Sequence, residues 1–186
     1  MRTALRMASL GCVILVASCA QRRPGPPAEP TGVRPRVGVY DSRAIAVAFV
    51  GSEVYMATDG RALAELRAEH DKAKAAGDTA RMAELEAKGK AQQALLHQQG
   101  FSTAPVDTIL AHIADQMPGI ASAAGVEAIL SKWDKDALAT YPNAELVDVT
   151  MPLVDAFKPK ERQRTSAIEV QKHPPISLED AAKIDD

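Results

Sequence analysis

RALAELRAEHDKAKAAGDTARMAELEAKGKAQQALLHQQ, residues 61–99, is the stretch whose reading decides the fold. It is built from Ala, Glu, Lys, Arg, Leu and Gln, which lose little side-chain freedom in a helix. Turn chemistry breaks it at Ala76-Gly77-Asp78. Gly77 can supply a positive φ, and Asp78 or Thr79 can cap a second helix. The stretch therefore predicts an antiparallel helical hairpin, with arms Arg61–Ala75 and Thr79–Gln98. At ~1.5 Å per residue each arm would be about 25–30 Å long.

The apolar stripe on this hairpin is thin. Leu63 and Leu66 lie on the first arm with Ala62, Ala73 and Ala76; Met82, Leu85, Leu95 and Leu96 lie on the second. Small side chains let helices approach closely but bury little apolar area. The charges are mixed, Arg67, Lys72, Lys74, Arg81 and Lys88 against Glu65, Glu69, Asp71, Glu84 and Glu86. They read either as a solvated face of weak i,i+4 pairs or as an arm that touches a partner. An isolated hairpin of this size is marginal, so the arm is expected to pack on a body or on sister chains.

Outward from the hairpin, Val37-Gly38-Val39-Tyr40 has the β-branched and aromatic content of a short strand. Asp41 offers a cap for a short helix, Arg43–Val50, and a further helical piece is expected between Gly51 and Gly60. After Gly100-Phe101, residues Val106, Ile109, Leu110, Ile113, Met117 and Ile120 recur at helical spacing. They predict one apolar core helix, kinked or broken at Pro118-Gly119 and ended by Gly125. Val126–Trp133 and Glu145–Val149 read as strands, and Thr150 as the cap of a last helix, Met151–Phe157. The expected fold is α+β: a small β-sheet body, residues 37–157, with the antiparallel hairpin 61–98 protruding from it.

The ends of the chain differ in character. Arg2 and Arg6 precede a short apolar run, Leu10 to Ala17, too short to span a membrane. The run ends in Val16-Ala17-Ser18-Cys19, which resembles a bacterial lipobox. The resemblance implies removal of residues 1–18 and acylation of Cys19; the plainer reading is an ordinary signal peptide cut near Ala20. Acyl chains anchor durably, each buried methylene contributing about 0.8 kcal/mol. Ala20 after the cysteine implies, by the same resemblance, the outer membrane and a protein facing the periplasm. Residues 19–36 carry Pro24, Pro26, Pro27, Pro30 and Pro35 and read as an extended tether. Residues 158–186 are polar, with Pro159, Pro174 and Pro175, and read as a largely disordered tail with a short helix at Ser177–Ile184.

Composition limits the function classes. Cys12 would leave with the signal peptide and Cys19 would be acylated, which excludes a thiol nucleophile, a redox pair and a zinc–thiolate site. Of 22 basic side chains Arg2 and Arg6 would be lost, leaving 20 against 24 acidic ones, a net of −4. That balance argues against general nucleic-acid binding. His70, His97, His112 and His173 are scattered; His97 and His112 with Asp107 or Asp115 match no ligand spacing, so solvated helix histidines and no metal are expected. Trp133-Asp134-Lys135-Asp136 reads as a capped polar turn rather than a cation site, and Asp41 and Asp148 as helix caps. No phosphate loop, nucleophile elbow or HExxH pattern occurs, so the reading is non-enzymatic, with no catalytic residue and no cofactor.

The ordered set Val37-Gly38-Val39-Tyr40-Asp41, the charged Ala-rich helical middle, Ala123-Ala124-Gly125-Val126-Glu127-Ala128-Ile129-Leu130 and Val147-Asp148-Val149-Thr150 resembles the Skp (OmpH-like) family of periplasmic chaperones. The resemblance covers about Arg36–Phe157. It implies a homotrimer whose strands form a small body and whose helical arms hold unfolded outer-membrane proteins. The arms here are short and aromatic-poor, and the chain is slightly negative, unlike the basic chaperones of that family. Two expectations follow: a lipid-anchored envelope protein that binds unfolded or partner envelope proteins, or an adaptor lipoprotein that docks one specific folded partner through its hairpin or tail.

Overall fold

The structure, a computed structural model, describes residues 34–184. Cys19, the signal peptide 1–18 and almost all of the tether 19–36 lie outside the described residues. The described chain is a mixed α+β fold, several helices around a small three-stranded sheet.

Strand β1 (Arg36–Tyr40) is central, with β2 (Ala128–Ser131) and β3 (Glu145–Asp148) on either side and both parallel to it. Val37 is opposite Ala128 and Leu146, and Gly38 opposite Ile129 and Val147. Gly38 is where the face is tightest: a Cβ there would stand 3.1–3.2 Å from the side chains of Val149, Ile129 and Val126. Parallel neighbours cannot be joined by tight hairpins. The chain between β1 and β2 accordingly holds six α-helices, among them the hairpin, and the chain between β2 and β3 holds one short helix.

Helix α1 (Ser42–Val50) leaves β1 directly, and its buried Ile45 and Phe49 form the middle of the core. Phe49 meets Tyr55 of α2 (Glu53–Ala57) and Phe157 edge-on, with centroids 5.4 and 5.8 Å apart, and stacks on His112 at 5.2 Å. Ile109, Ile113, Leu153 and Val154 complete the cluster.

The hairpin is formed by α3 (Asp59–Ala76) and α4 (Thr79–Phe101). Gly77 takes the left-handed conformation, φ 69°, and the Asp78 carboxylate accepts the Arg81 backbone N–H at 2.9 Å. Ala73 and Leu85 are buried, and most other arm residues are exposed or half-exposed.

Three expectations are corrected. The single core helix is replaced by α5 (Asp107–Leu110), a 3-10 turn (Ala111–Ile113) and α6 (Met117–Ala124). Pro118 lies in the first turn of the last of these instead of breaking it, since its missing N–H falls where no partner is needed. Thr150 is not a cap: it is the first residue of α8 (Thr150–Ala156). Its hydroxyl accepts the Asp41 N–H at 3.0 Å, while Asp148 accepts the Thr150 N–H at 2.8 Å.

The third correction concerns residues 158–186, expected to be largely disordered. The described part, 158–184, forms α9 (Glu161–Val170), which packs on α1 with Ala167 buried, and the expected short helix, α10 (Leu178–Ala182), which packs on α4 with Ala181 buried. The connecting segment is tied down by backbone. Ser102 Oγ donates to Ile176 O at 2.6 Å, Ile176 N donates to Phe101 O at 3.1 Å, and Gln98 Nε2 donates to Leu178 O at 3.1 Å. Ser177 caps α10 by accepting the Asp180 N–H. A five-residue helix absent from the expectation, α7 (Lys135–Ala139), sits between β2 and β3.

Candidate functional site

The hairpin arms enclose a cleft of about 700 Å³. Leu63 and Leu66 of α3 face Leu85 and Leu96 of α4 across it, with Gln92, Gln93 and His97 toward the base. Gly89 forms part of the wall, and a Cβ there would meet only Leu66 Cδ2, at 3.7 Å. The missing side chain at Gly89 is one local reason the cleft stays open.

The polar rim ties the arms together outside the leucines. His70 Nε2 lies 3.3 Å from Glu86 Oε1 across the hairpin. Arg81 pairs with Glu69 of the opposite arm and Glu84 of its own, and Lys88 pairs with Glu84 at 2.7 Å. The hydrogen bonds from Lys88 and Arg81, reinforced by their charges, pull the Glu84 carboxyl down to about 2. These pairs lie in solvent, where each contributes little to stability; two of them, His70–Glu86 and Arg81–Glu69, run between the arms.

A second cluster occupies the carboxyl ends of the strands. Asp41 follows β1 and caps α1, accepting the Arg43 N–H at 3.0 Å. Its two oxygens also accept Arg43 Nε at 3.0 Å and Nη2 at 2.7 Å, and Lys132 Nζ stands 2.8 Å away. Burial pushes the Asp41 carboxyl up; the Arg43 and Lys132 hydrogen bonds and charges outweigh it and hold the group below the usual carboxylate range. Arg43 and Lys132 also sit over the Trp133 ring, 5.3 and 4.6 Å from its centroid, and Arg43 Nη1 donates to His173 O at 2.9 Å. The acceptor positions of Asp41 are taken up inside the fold, so its chemistry is structural.

The other singled-out residues are not brought together. His70 lies midway along the hairpin and His97 at its base, 5.9 Å from the Phe101 ring. His112 stacks in the core on Phe49, and the backbone of His173 serves Arg43. Among the described residues no group of three or more His, Cys, Asp or Glu could hold a metal ion, so Asp107 and Asp115 join no such set. Asp134 caps α7, accepting the Ala137 N–H at 2.9 Å, as the capped-turn reading of Trp133-Asp134-Lys135-Asp136 requires.

Sequence reasoning missed the partnership of Asp41 with Lys132, which are brought together by strand pairing. The available signal was a charged residue just beyond each of two strands, Asp41 and Lys132, because parallel neighbours put such residues side by side. Among the described residues no helix is long and apolar enough to cross a membrane. No protein family, curated protein or solved structure matches this chain.

Proposed function

We propose that this chain is a lipid-anchored, non-enzymatic envelope protein of Skp-like kind that binds unfolded or partner envelope proteins in the cleft between its hairpin arms. The leucine-walled cleft between α3 and α4 carries this reading. An opening of about 700 Å³, apolar on its walls and polar on its rim, suits the apolar side chains of a short extended or helical segment. The lipobox-like Val16-Ala17-Ser18-Cys19 supports attachment to a membrane, by preference the outer one, with the domain in the periplasm. The Skp-like order of strand, hairpin and strands supports a homotrimeric body.

Photo-crosslinking from Gln92, in the cleft wall, tests the site directly. Adducts with many unfolded outer-membrane proteins, together with suppression of their aggregation, support the chaperone reading; the absence of both would remove it. Light scattering tests the trimer, which a monomer at micromolar concentration would sink. Cys19→Ser should release the protein from the membrane fraction.

A second reading, an adaptor for one folded partner, is favoured by the rim. Arg81, Glu69, Glu84 and Lys88 are paired with one another beside the small cleft, a fitted arrangement that suits one partner better than varied clients. A single stoichiometric crosslinked partner would select it.

A further inference from the structure

A groove separate from the hairpin opens at the carboxyl ends of β1 and β2. It has a volume of about 300 Å³, and its polar lining comes from Tyr40, Thr103, Asp107, Ser131 and Asp134, with Trp133 at its side. Such strand ends are where open parallel sheets present ligand sites. Tyr40 and Ser131 are register partners and lie on the same face of the sheet. The Tyr40 ring is buried, the residue being 6% exposed, yet its hydroxyl has no hydrogen-bond partner among the described residues. The hydroxyl itself is not sealed off and reaches the open space of the groove.

The charges that act on that hydroxyl are the carboxylates of Asp107 and Asp134. Asp107 has no ion-pair partner among the described residues, and Asp134 uses one oxygen to cap α7 and has no ion pair. The nearby cation Lys132 is turned onto Asp41, 2.8 Å away. Burial, with the negative charges of Asp107 and Asp134, raises the Tyr40 phenol to about 12, so it stays a neutral donor and acceptor. Pro105 and Ile129 add an apolar wall.

We propose that this groove binds an alkylammonium or guanidinium group, either on a free amine or on a basic side chain of a partner protein. Two carboxylates and three hydroxyls supply acceptors for a donor-rich monocation, and the apolar wall accommodates its methylenes. A divalent ion fits less well: it takes six or more oxygens at close range, and no third carboxylate or imidazole joins the pair. The site stands on its own residues and does not depend on the function assigned to the hairpin.

Trp133 is the one tryptophan in the sequence and lines the groove, so its fluorescence reports directly on occupancy. The full chain should be titrated with agmatine, with spermidine, with an N-acetylated Gly-Arg-Gly peptide, with calcium chloride and with tetramethylammonium at matched ionic strength. A saturable change with agmatine or the peptide, and none with tetramethylammonium, supports the proposal. Tighter binding of the peptide assigns the group to a partner side chain; tighter binding of agmatine or spermidine assigns it to a free amine. Asp107→Asn and Asp134→Asn should each weaken binding about tenfold, and Tyr40→Phe by several-fold, with circular dichroism unchanged. Asp134→Asn preserves helix capping, which keeps loss of binding separable from loss of fold. No saturable change with any amine, an equal response in the Asn variants, or a response to calcium alone would overturn it.

Discussion

Arg43 grips Asp41 from only two residues away, Nε on Oδ1 at 3.0 Å and Nη2 on Oδ2 at 2.7 Å, and the two side chains are 2% and 0% exposed. Lys132 approaches the same carboxylate from the end of the neighbouring strand but is 34% exposed itself. Breaking a buried pair by removing one partner strands the other charge, at a cost of about 3–5 kcal/mol. Asp41→Ala should therefore lower stability by about that amount, since it leaves Arg43 buried and unpaired and removes the cap of α1. Lys132→Met should cost about 1 kcal/mol, because Asp41 keeps Arg43. Urea unfolding of the three proteins measures both values; equal, small losses would show that the pair is not what joins β1 to α1.

The same carboxylate makes stability depend on pH. Its folded value lies below the ordinary carboxylate value because Arg43 and Lys132 outweigh the burial that pushes it up. The unfolded chain, with an ordinary value of about 3.9, takes up the proton first as pH falls. The stabilisation is thus complete above the unfolded value and is lost as pH falls through that value toward the folded one. Between about pH 6 and pH 3 the urea midpoint should fall more steeply for the natural chain than for Asp41→Asn. Parallel curves would assign acid sensitivity to other carboxylates.

Residues 158–184 should be part of the cooperative unit. Ending the chain at Phe157 would uncover α1 where Ala167 packs, remove the His173 carbonyl from Arg43, and free Phe101 O and Ser102 Oγ from Ile176. One of the exposed groups is a buried arginine donor, and such losses cost more than surface changes. The truncated protein should unfold at lower urea by at least about 2 kcal/mol or fail to fold. Unchanged stability would return the segment to the status of a loose tail.

What could be read from the sequence follows from how local the causes are. The hairpin turn was legible because Gly77 and Asp78 carry their own geometry, φ 69° and a capping carboxylate. The strands were legible because Val37-Gly38-Val39 and Leu146-Val147 have the right residue types. In the tail the helix capped by Ser177 was legible from its cap and its acidic first turn, but α9 was not, because its buried residue is an alanine, which leaves no apolar stripe to read. Pro118 was placed at a break instead of a start, since a proline is compatible with both and only tertiary packing decides. The cleft was invisible for a different reason. Leu63, Leu66, Leu85 and Leu96 were recognised as a stripe, but whether a stripe closes or stands open depends on the separation of the arms.

That separation can be tested at Gly89. Glycine inside a helix costs about 0.5–1 kcal/mol relative to alanine. A Cβ at this position would meet Leu66 Cδ2 at 3.7 Å, an ordinary contact. Gly89→Ala should therefore raise stability by about 0.5–1 kcal/mol with no strain to offset it. Gly89→Leu keeps a helix-favouring residue but projects its branched end toward Leu66 and into the cleft. If the cleft is where envelope proteins bind, the alanine variant should bind slightly less well than the natural chain and the leucine variant should bind poorly while remaining folded by circular dichroism. Crosslinking from Gln92 and suppression of aggregation should fall together across this series. A folded Gly89→Leu protein that retains both activities would place binding elsewhere on the arm, on the exposed faces of α3 and α4 instead of between them.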